Sequence, residues 1–410
     1  MGDTQGEATR YDIIIVGGSV AGAAAAIALA DGGHRILVVD KATFPRDKPC
    51  GEGIMPQGMQ ILDDLGLGPD LRALGRPFQG ISFVNRKGEV ARADFPPVPG
   101  CPKEGIVIRR TELDEVLIRK AASLPNVDVK EGFLVREILR DDDQVIGIVG
   151  HSKQDSSAIQ TYTAPLTLGT DGRNSVFHRG CNLKRKVMKR RRFGLIGHLR
   201  GMKGRGQDVE VLLQEQGEIY LAHCRDDITL VAILLEDREM PRVRGDLQAG
   251  YLDILKSTPL VADRMTDWEL VGDVSAIGPL GFTIAPIHRP GLLLIGDSAG
   301  FLDPITGEGM TLALKSVAAA VPLIHEAFKS GDFGEDLGKA YEARRMSLIV
   351  DLFKITKLVL ELSRHKRLAD GAIRRLGKHP ELMSGMVGVA SGAQSFSDLS
   401  TWDTARLLFR

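Results

Sequence analysis

The chain has 410 residues, with 53 Lys+Arg balanced by 53 Asp+Glu, 43% apolar and 26% charged residues. This length suits two or three coupled domains of a soluble globular protein, and zero net charge excludes a global attraction to nucleic acid or to an anionic membrane. Cys50, Cys101, Cys181 and Cys224 lie far apart without a CxxC, and the nine histidines form no HExxH-like cluster. A disulfide framework and a metal site are therefore not expected, and a reducing cytoplasm is.

In chain order, Met1–Arg10 reads as a mobile polar tail. The uncharged run IIIVGGSVAGAAAAIALA, Ile13 to Ala30, has eighteen residues including three glycines, and Asp12 and Asp31 border it. A membrane span needs about twenty apolar residues. A signal peptide wants a basic start, which Met1–Glu7 lacks. Ile13–Val16 instead reads as a buried parallel strand. Gly17-Gly18-Ser19-Val20-Ala21-Gly22 matches G-x-G-x-x-G with Ser19 at the second glycine, and Ala23–Ala30 is a helix-forming run. RILVVD is a second strand ending in Asp40, eighteen residues past Gly22. This strand–turn–helix–strand–acid unit predicts a dinucleotide site, with the helix N-terminus facing a pyrophosphate and Asp40 accepting from a ribose. The plain alternative is a tight turn in an ordinary α/β fold.

FPRDKPCGEG follows, with Arg46, Cys50 and Gly51. In RRTELDEVL, Arg110 precedes a helix capped by Thr111 with Asp114 closing a capping box, and Leu113, Val116 and Leu117 form its buried stripe. GFLVREIL, three aspartates and VIGIVG read as a hairpin. LTLGTDGRNSVFHR places Asp171-Gly172 after a third strand. LKRKVMKRRRF, Leu183 to Phe193, holds seven basic residues in eleven. It reads as a solvated strand entry, with a dock for NADPH phosphates or acidic lipid as alternatives, and no nucleic-acid motif accompanies it. LIGHLRG, VEVLLQ, EIYLAHC and ITLVAILLE read as strands of one antiparallel sheet. In GLLLIGDSAGFLDPITGEGM a strand ends in Gly296-Asp297, and a loop then opens a helix. After Arg345 an apolar stripe of Leu348, Leu352, Ile355, Val359 and Leu362 predicts a helical extension packed over the sheet domain. A lid over a greasy ligand, in peripheral contact with a membrane, is the alternative.

These motifs, in this order, resemble the flavoprotein superfamily of p-hydroxybenzoate-hydroxylase-type monooxygenases, geranylgeranyl reductases and flavin-dependent halogenases, over roughly residues 10–345. The resemblance implies an α/β fold: a Rossmann-like FAD-binding domain with a β-hairpin layer (11–78, 105–175 and 275–345), an antiparallel-sheet substrate domain (79–104 and 176–274) and C-terminal helices (346–410). It implies that Gly17, Ser19, Val20, Ala21, Gly22, Asp40 and Lys41 hold the ADP half of FAD. Arg110 would sit near the flavin chain, Asp171 and Gly172 by the pyrophosphate, and Gly296 and Asp297 at the ribityl. Arg46, Cys50 and Gly51 would approach the ring, and Pro304, Gly307, Glu308, Gly309 and Met310 would meet its pyrimidine edge. Bare N–H groups at that helix start would stabilise the negative charge of the reduced flavin.

A single dinucleotide fingerprint leaves NAD(P)H as a transient electron donor. No redox cysteine pair is present, and Cys50 reads as a packing residue. The W-x-W-x-I-P of halogenases is absent, with Trp268 and Trp402 isolated. Two activities remain. The first is an FAD-dependent, NAD(P)H-dependent monooxygenase that hydroxylates a lipophilic or phenolic small molecule through a flavin C4a-hydroperoxide, with Tyr220 or His223 as candidate base. The second is a geranylgeranyl-reductase-like enzyme acting on isoprenoid double bonds. KPCGEGIMPQGMQIL resembles the reductase loop, whereas the segment from Tyr220 lacks the reductases' Trp, Phe and Pro. A flavin-binding sensor without turnover is a third, weaker reading. Few aromatics (5%) favour an aliphatic, elongated substrate cavity. The sequence leaves open the oligomeric state and the choice between NADH and NADPH.

Overall fold

The computed structural model describes residues 8–399; residues 1–7 of the N-terminal tail and 400–410 of the helical extension, including Trp402, lie outside them. A six-stranded sheet runs in the order His288–Arg289, Leu292–Leu294, Leu166–Gly169, Ile13–Val16, Ile36–Asp40, Val127–Glu131. Its inner strands pair in parallel, with Ile13 opposite both Leu166 and Ile36. Strands covered on both faces read as continuous apolar runs, and all four residues of Ile13–Val16 are buried. The helix Val20–Ala30 packs against the helices Arg110–Ala122 and Gly309–Ser330. Its Ala23–Ala26 run is almost wholly buried, because methyl side chains let neighbouring elements approach closely.

The predicted hairpin is present as Phe133–Asp141 and Gln144–Ser152. It extends to Ile159–Thr163 and to Thr9–Arg10, which pairs in parallel with Tyr162 and Thr163. The end of the expected polar tail is thus a short strand: the sheet edge offers backbone partners that outweigh the polar side chains.

The second layer is an eight-stranded sheet in the order Gly300–Phe301, Glu269–Ala285, Lys184–Arg200, Ile228–Glu236, Gly217–His223, Asp208–Leu213, Gly80–Val84, Val90–Asp94. It is antiparallel except where Asp208–Leu213 runs parallel to Gly80–Val84. The strand Glu269–Ala285 belongs to this sheet along its whole length and crosses the sequence-drawn boundary at 274/275. Side chains alternate between faces. Leu195, Ile219, Leu221, Val231 and Ile233 pack with Tyr251 and Ile254 of the helix Leu247–Lys256. Ile196, Val211, Tyr220, Ala222, Ala232 and Leu234 face the opposite way. There they meet Ile355 and Val359 of the helix Glu335–Arg364 and Met383, Met386 and Val387 of the helix Pro380–Ser391.

Among the described residues, Gly309–Ser330 is a helix long and apolar enough to cross a membrane by composition. In the fold it packs between Val20–Ala30, Pro56–Asp64 and Glu335–Arg364.

The fingerprint glycines are sterically required. A Cβ at Gly22 would stand 1.8 Å from the Gly17 carbonyl oxygen, and Gly17 itself holds φ +106° against the backbone of Thr170 and Asp171. Gly22→Ala is expected to destabilise the fold by at least about 1–3 kcal/mol and to lower flavin retention, measured by chemical denaturation and by bound flavin per chain.

Candidate functional site

One cavity of about 760 Å³ lies between the parallel-sheet domain and the inner face of the large sheet. Every residue expected to hold the cofactor lines it except Gly22 and Glu308. Gly22 sits beneath the turn, where its role is packing. Glu308 is buried outside the wall with Oε1 unpartnered, and burial raises its carboxyl to about 8 against the opposing pull of Lys315. At one end the wall is polar, with Lys41, Arg46, Lys48, Arg173 and Asp297; at the other it is apolar.

Two helices start on this cavity, and neither is capped by a side chain. Ser19 is the N-cap of Val20–Ala30, yet it makes no capping hydrogen bond. Its Oγ is drawn aside, accepting from Arg110 Nη2 at 2.7 Å and lying 3.3 Å from Asp114. Asp114, buried, also accepts from Arg46 Nη1 at 2.8 Å. The first N–H groups of a helix have no partner inside it, so those of Val20 and Ala21 are left for an anion. Glu308 likewise leaves Gly309–Ser330 uncapped, and Gly309 and Met310 line the cavity.

The Thr111–Asp114 capping box does not form. The helix begins at Arg110 with Arg109 as its cap residue. Thr111 is already inside it, and Asp114 is engaged with the two guanidiniums. Leu113 and Leu117 are buried as expected, and Val116 is partly so.

Asp40 accepts from Gly18 N–H at 2.8 Å and Ala42 N–H at 2.7 Å. One lone pair on each oxygen remains for a ribose hydroxyl. Asp171 Oδ2 accepts from Val176 N–H, and Oδ1 is buried without a partner. Burial raises this carboxyl to about 6, against the hydrogen bonds from Ser175 and Val176 that lower it. An orphaned acceptor in the wall, bare helix N–H groups and a glycine turn that admits no Cβ together fit the pyrophosphate and ribose of FAD. Lys48, not singled out from the sequence, stands in the same wall. Desolvation and Arg110 depress its ammonium, while Asp297 supports it.

Two buried polar latches fasten the loops to the large sheet. At one end Arg192 pairs with Glu218 and, at 2.7 Å, with Asp303, which also accepts from Ile305 N–H. Tyr220 adds a donation to the Ile305 carbonyl at 3.0 Å. This fixes the Asp303–Gly307 loop. Arg192 closes the basic run expected to be solvated; its predecessors are mostly exposed, but the strand carries it inward to 2% exposure. At the other end Glu52 meets His198 and Cys224.

The two candidate bases separate. Tyr220 lines the cavity, but its hydroxyl is committed to Ile305, and burial with Glu218 pushes its pKa well above the usual tyrosine range. His223 does not reach the cavity. Three residues beyond Tyr220 it falls on the opposite face of the sheet, with Nδ1 3.1 Å from Thr229 Oγ1 and Nε2 3.7 Å from Glu210. Burial lowers its pKa.

Removing Arg192 strands two buried carboxylates. Arg192→Met is expected to cost about 3–5 kcal/mol and to weaken flavin binding, measured by denaturation and by flavin titration. The Asp171 carboxyl rises from 3.8 unfolded to about 6 folded, so its protonated form favours the fold. That contribution is complete below the unfolded value and is lost as pH rises through the folded one. Denaturation of flavin-free protein between about pH 4 and 7 should show this loss, and Asp171→Asn should flatten it.

The chain matches the family described as FAD binding domain over residues 10–354. It is 28% identical over 333 residues to a menaquinone reductase of Mycolicibacterium smegmatis, covering 77% of this chain and 76% of that one. It is 25% identical over 318 residues to a squalene monooxygenase of Rattus norvegicus, covering 75% and 54%. In structure it is similar to a flavoprotein/dehydrogenase from Cytophaga hutchinsonii, with a TM-score of 0.81 at 19% identity over 93% of both chains. With most of the fingerprint gathered at one cavity and the family match spanning most of its length, this chain belongs to the FAD-binding-domain family and is a flavin-dependent oxidoreductase.

Proposed function

We propose that this protein reduces a carbon–carbon double bond in a long, isoprenoid-type lipophile, with NAD(P)H as the transient electron donor. The observation that carries this is the apolar end of the cavity. Ile196, Val211, Ala232 and Leu234 of the sheet face Met383, Met386 and Val387 of the C-terminal helices across it. Such walls suit an aliphatic chain, which gains about 0.8 kcal/mol per buried methylene, and the Tyr220 hydroxyl among them is already committed to Ile305.

FAD, when bound, supplies the hydride chemistry. The residues of this chain do the rest. The uncapped helix starts take the negative charge at the pyrophosphate and at the ring. The Arg192 latch holds the Asp303–Gly307 loop against the sheet. The roof of C-terminal helices excludes water from the chamber. Similarity to a menaquinone reductase, over most of both chains, supports a reductase acting on a lipophilic molecule.

Monooxygenation stands second. The sequence placed it first, and the similarity to squalene monooxygenases favours it for an aliphatic substrate. Phenol hydroxylation falls away with the candidate bases, because His223 faces the other side of the sheet and Tyr220 is committed to Ile305.

The flavin-loaded protein, given NADH or NADPH and a polyprenyl menaquinone without oxygen, is expected to yield a product that stays heavier by two hydrogens after any quinol has been reoxidised in air, with fragment ions placing both hydrogens in the prenyl chain by mass spectrometry. A product heavier by one oxygen, formed only in air, would replace this reading with the second. Unchanged quinone under both conditions would sink both.

A further inference from the structure

Glu52 is not among the residues expected to hold the cofactor, yet its placement is costly. It holds φ +58°, a left-handed backbone that strains a residue with a side chain. Gly51 and Gly53 beside it would bear that conformation freely. Its side chain is also withdrawn from water, at 1% exposure, although the residue belongs to the cavity lining. Burying a carboxyl is unfavourable unless hydrogen bonds compensate, and here they are specific. Oε1 accepts from Arg110 N–H at 3.1 Å, and Oε2 lies 3.1 Å from His198 Nε2 and 3.6 Å from Cys224 Sγ.

His198 is buried on the strand that carries Gly194 and Ile196 into the cavity wall, two and four residues along the same face. The charged and titratable groups around Glu52 come from three elements. Arg110 and Glu112 belong to the Arg110–Ala122 helix, and Arg109 precedes it. His198 and Cys224 come from the sheet. Cys50, on the same loop, accepts from Glu52 N–H at 3.4 Å. Glu112, partly exposed and near both Glu52 and Asp226, connects this cluster with solvent.

We propose that the Glu52–His198 pair is the proton donor that completes double-bond reduction; the assignment rests on the reductase reading above. Saturating an alkene takes a hydride at one carbon and a proton at the other. The hydride brings the electron pair of one new C–H bond, and the alkene π pair forms the second with the proton. The proton leaves the Glu52 carboxyl, and the carboxylate that remains is held by Arg110 N–H and His198. Reprotonation comes from solvent past Glu112. Tyr220, the other protic group on this wall, is a poor donor because its hydroxyl is already given to Ile305.

The test uses flavin-loaded protein, reduced anaerobically with dithionite so that NAD(P)H binding plays no part. Excess dithionite is removed, the protein is mixed with a polyprenol, which carries no quinone for the flavin to reduce, and flavin reoxidation and the saturated product are followed. Glu52→Gln keeps the shape and still accepts from Arg110 N–H. It is expected to slow reoxidation by about 100-fold or more with substrate affinity unchanged. The wild-type rate should fall as pH rises, and the variant's should not. His198→Gln is the second variant, expected to lower the rate less and to shift the pH profile. A readout independent of turnover is 13C NMR of flavin-free protein labelled at glutamate carboxyls. The Glu52 signal, assigned by its loss in Glu52→Gln, should move in His198→Gln. Wild-type rate and pH profile in Glu52→Gln, or a Glu52 signal indifferent to His198→Gln, would overturn the assignment while leaving the reductase reading intact. If the wild type itself leaves the double bonds untouched, the reductase reading fails and takes the donor with it.

Discussion

Two helices begin on the same cavity with their N–H groups unmet, and most of the architecture follows from that. A serine in the Ser19 position would ordinarily cap its own helix, which is worth about 1 kcal/mol. Here the buried Asp114 and Arg110, with the partly buried Arg46 paired to Asp114, pull the hydroxyl away. The helix forgoes its internal cap and offers its positive end to an anion instead. Glu308 leaves the second helix open in the same way. An orphaned Asp171 oxygen between them adds a polar demand. One extended ligand with a phosphate middle and an electron-accepting ring satisfies all three.

Bringing these helix starts together requires close packing beneath them. The alanine run and Gly22 let the first helix lie directly on its strand and turn. The second helix is positioned from the far side. Arg192, Glu218 and Asp303 join its leading loop to the large sheet, as Glu52, His198 and Cys224 join the Cys50–Gly53 loop. Buried ion pairs contribute little net stability, but breaking one is costly. They therefore act as register pins, holding the two layers at a spacing that leaves an apolar chamber between them.

Much of the cofactor half was legible because its signals are local. A β-branched run, a glycine turn, a helix-forming run and an acid at a fixed distance each state their own conformation, and together they name a nucleotide site. The hairpin and the strands of the large sheet were legible from the same kind of pattern. The Thr111–Asp114 capping box was misread because its spacing matches, while Asp114 answers to partners 68 and 95 residues away. Arg192 was hidden in a basic run whose other members are mostly exposed, and only the strand's register singles it out.

By itself the sequence determined the class of cofactor, two loops that come to line one cavity and the order of elements, because these depend on backbone conformation over a few neighbouring residues. Tertiary structure decided which side of the sheet faces the flavin loops. That choice removed His223, committed Tyr220 to a backbone carbonyl, and brought Glu52 within reach of His198 across 146 residues of chain. In a strand buried on both faces, alternation between apolar and polar residues is lost, so no local pattern distinguishes the cavity face from the packed one.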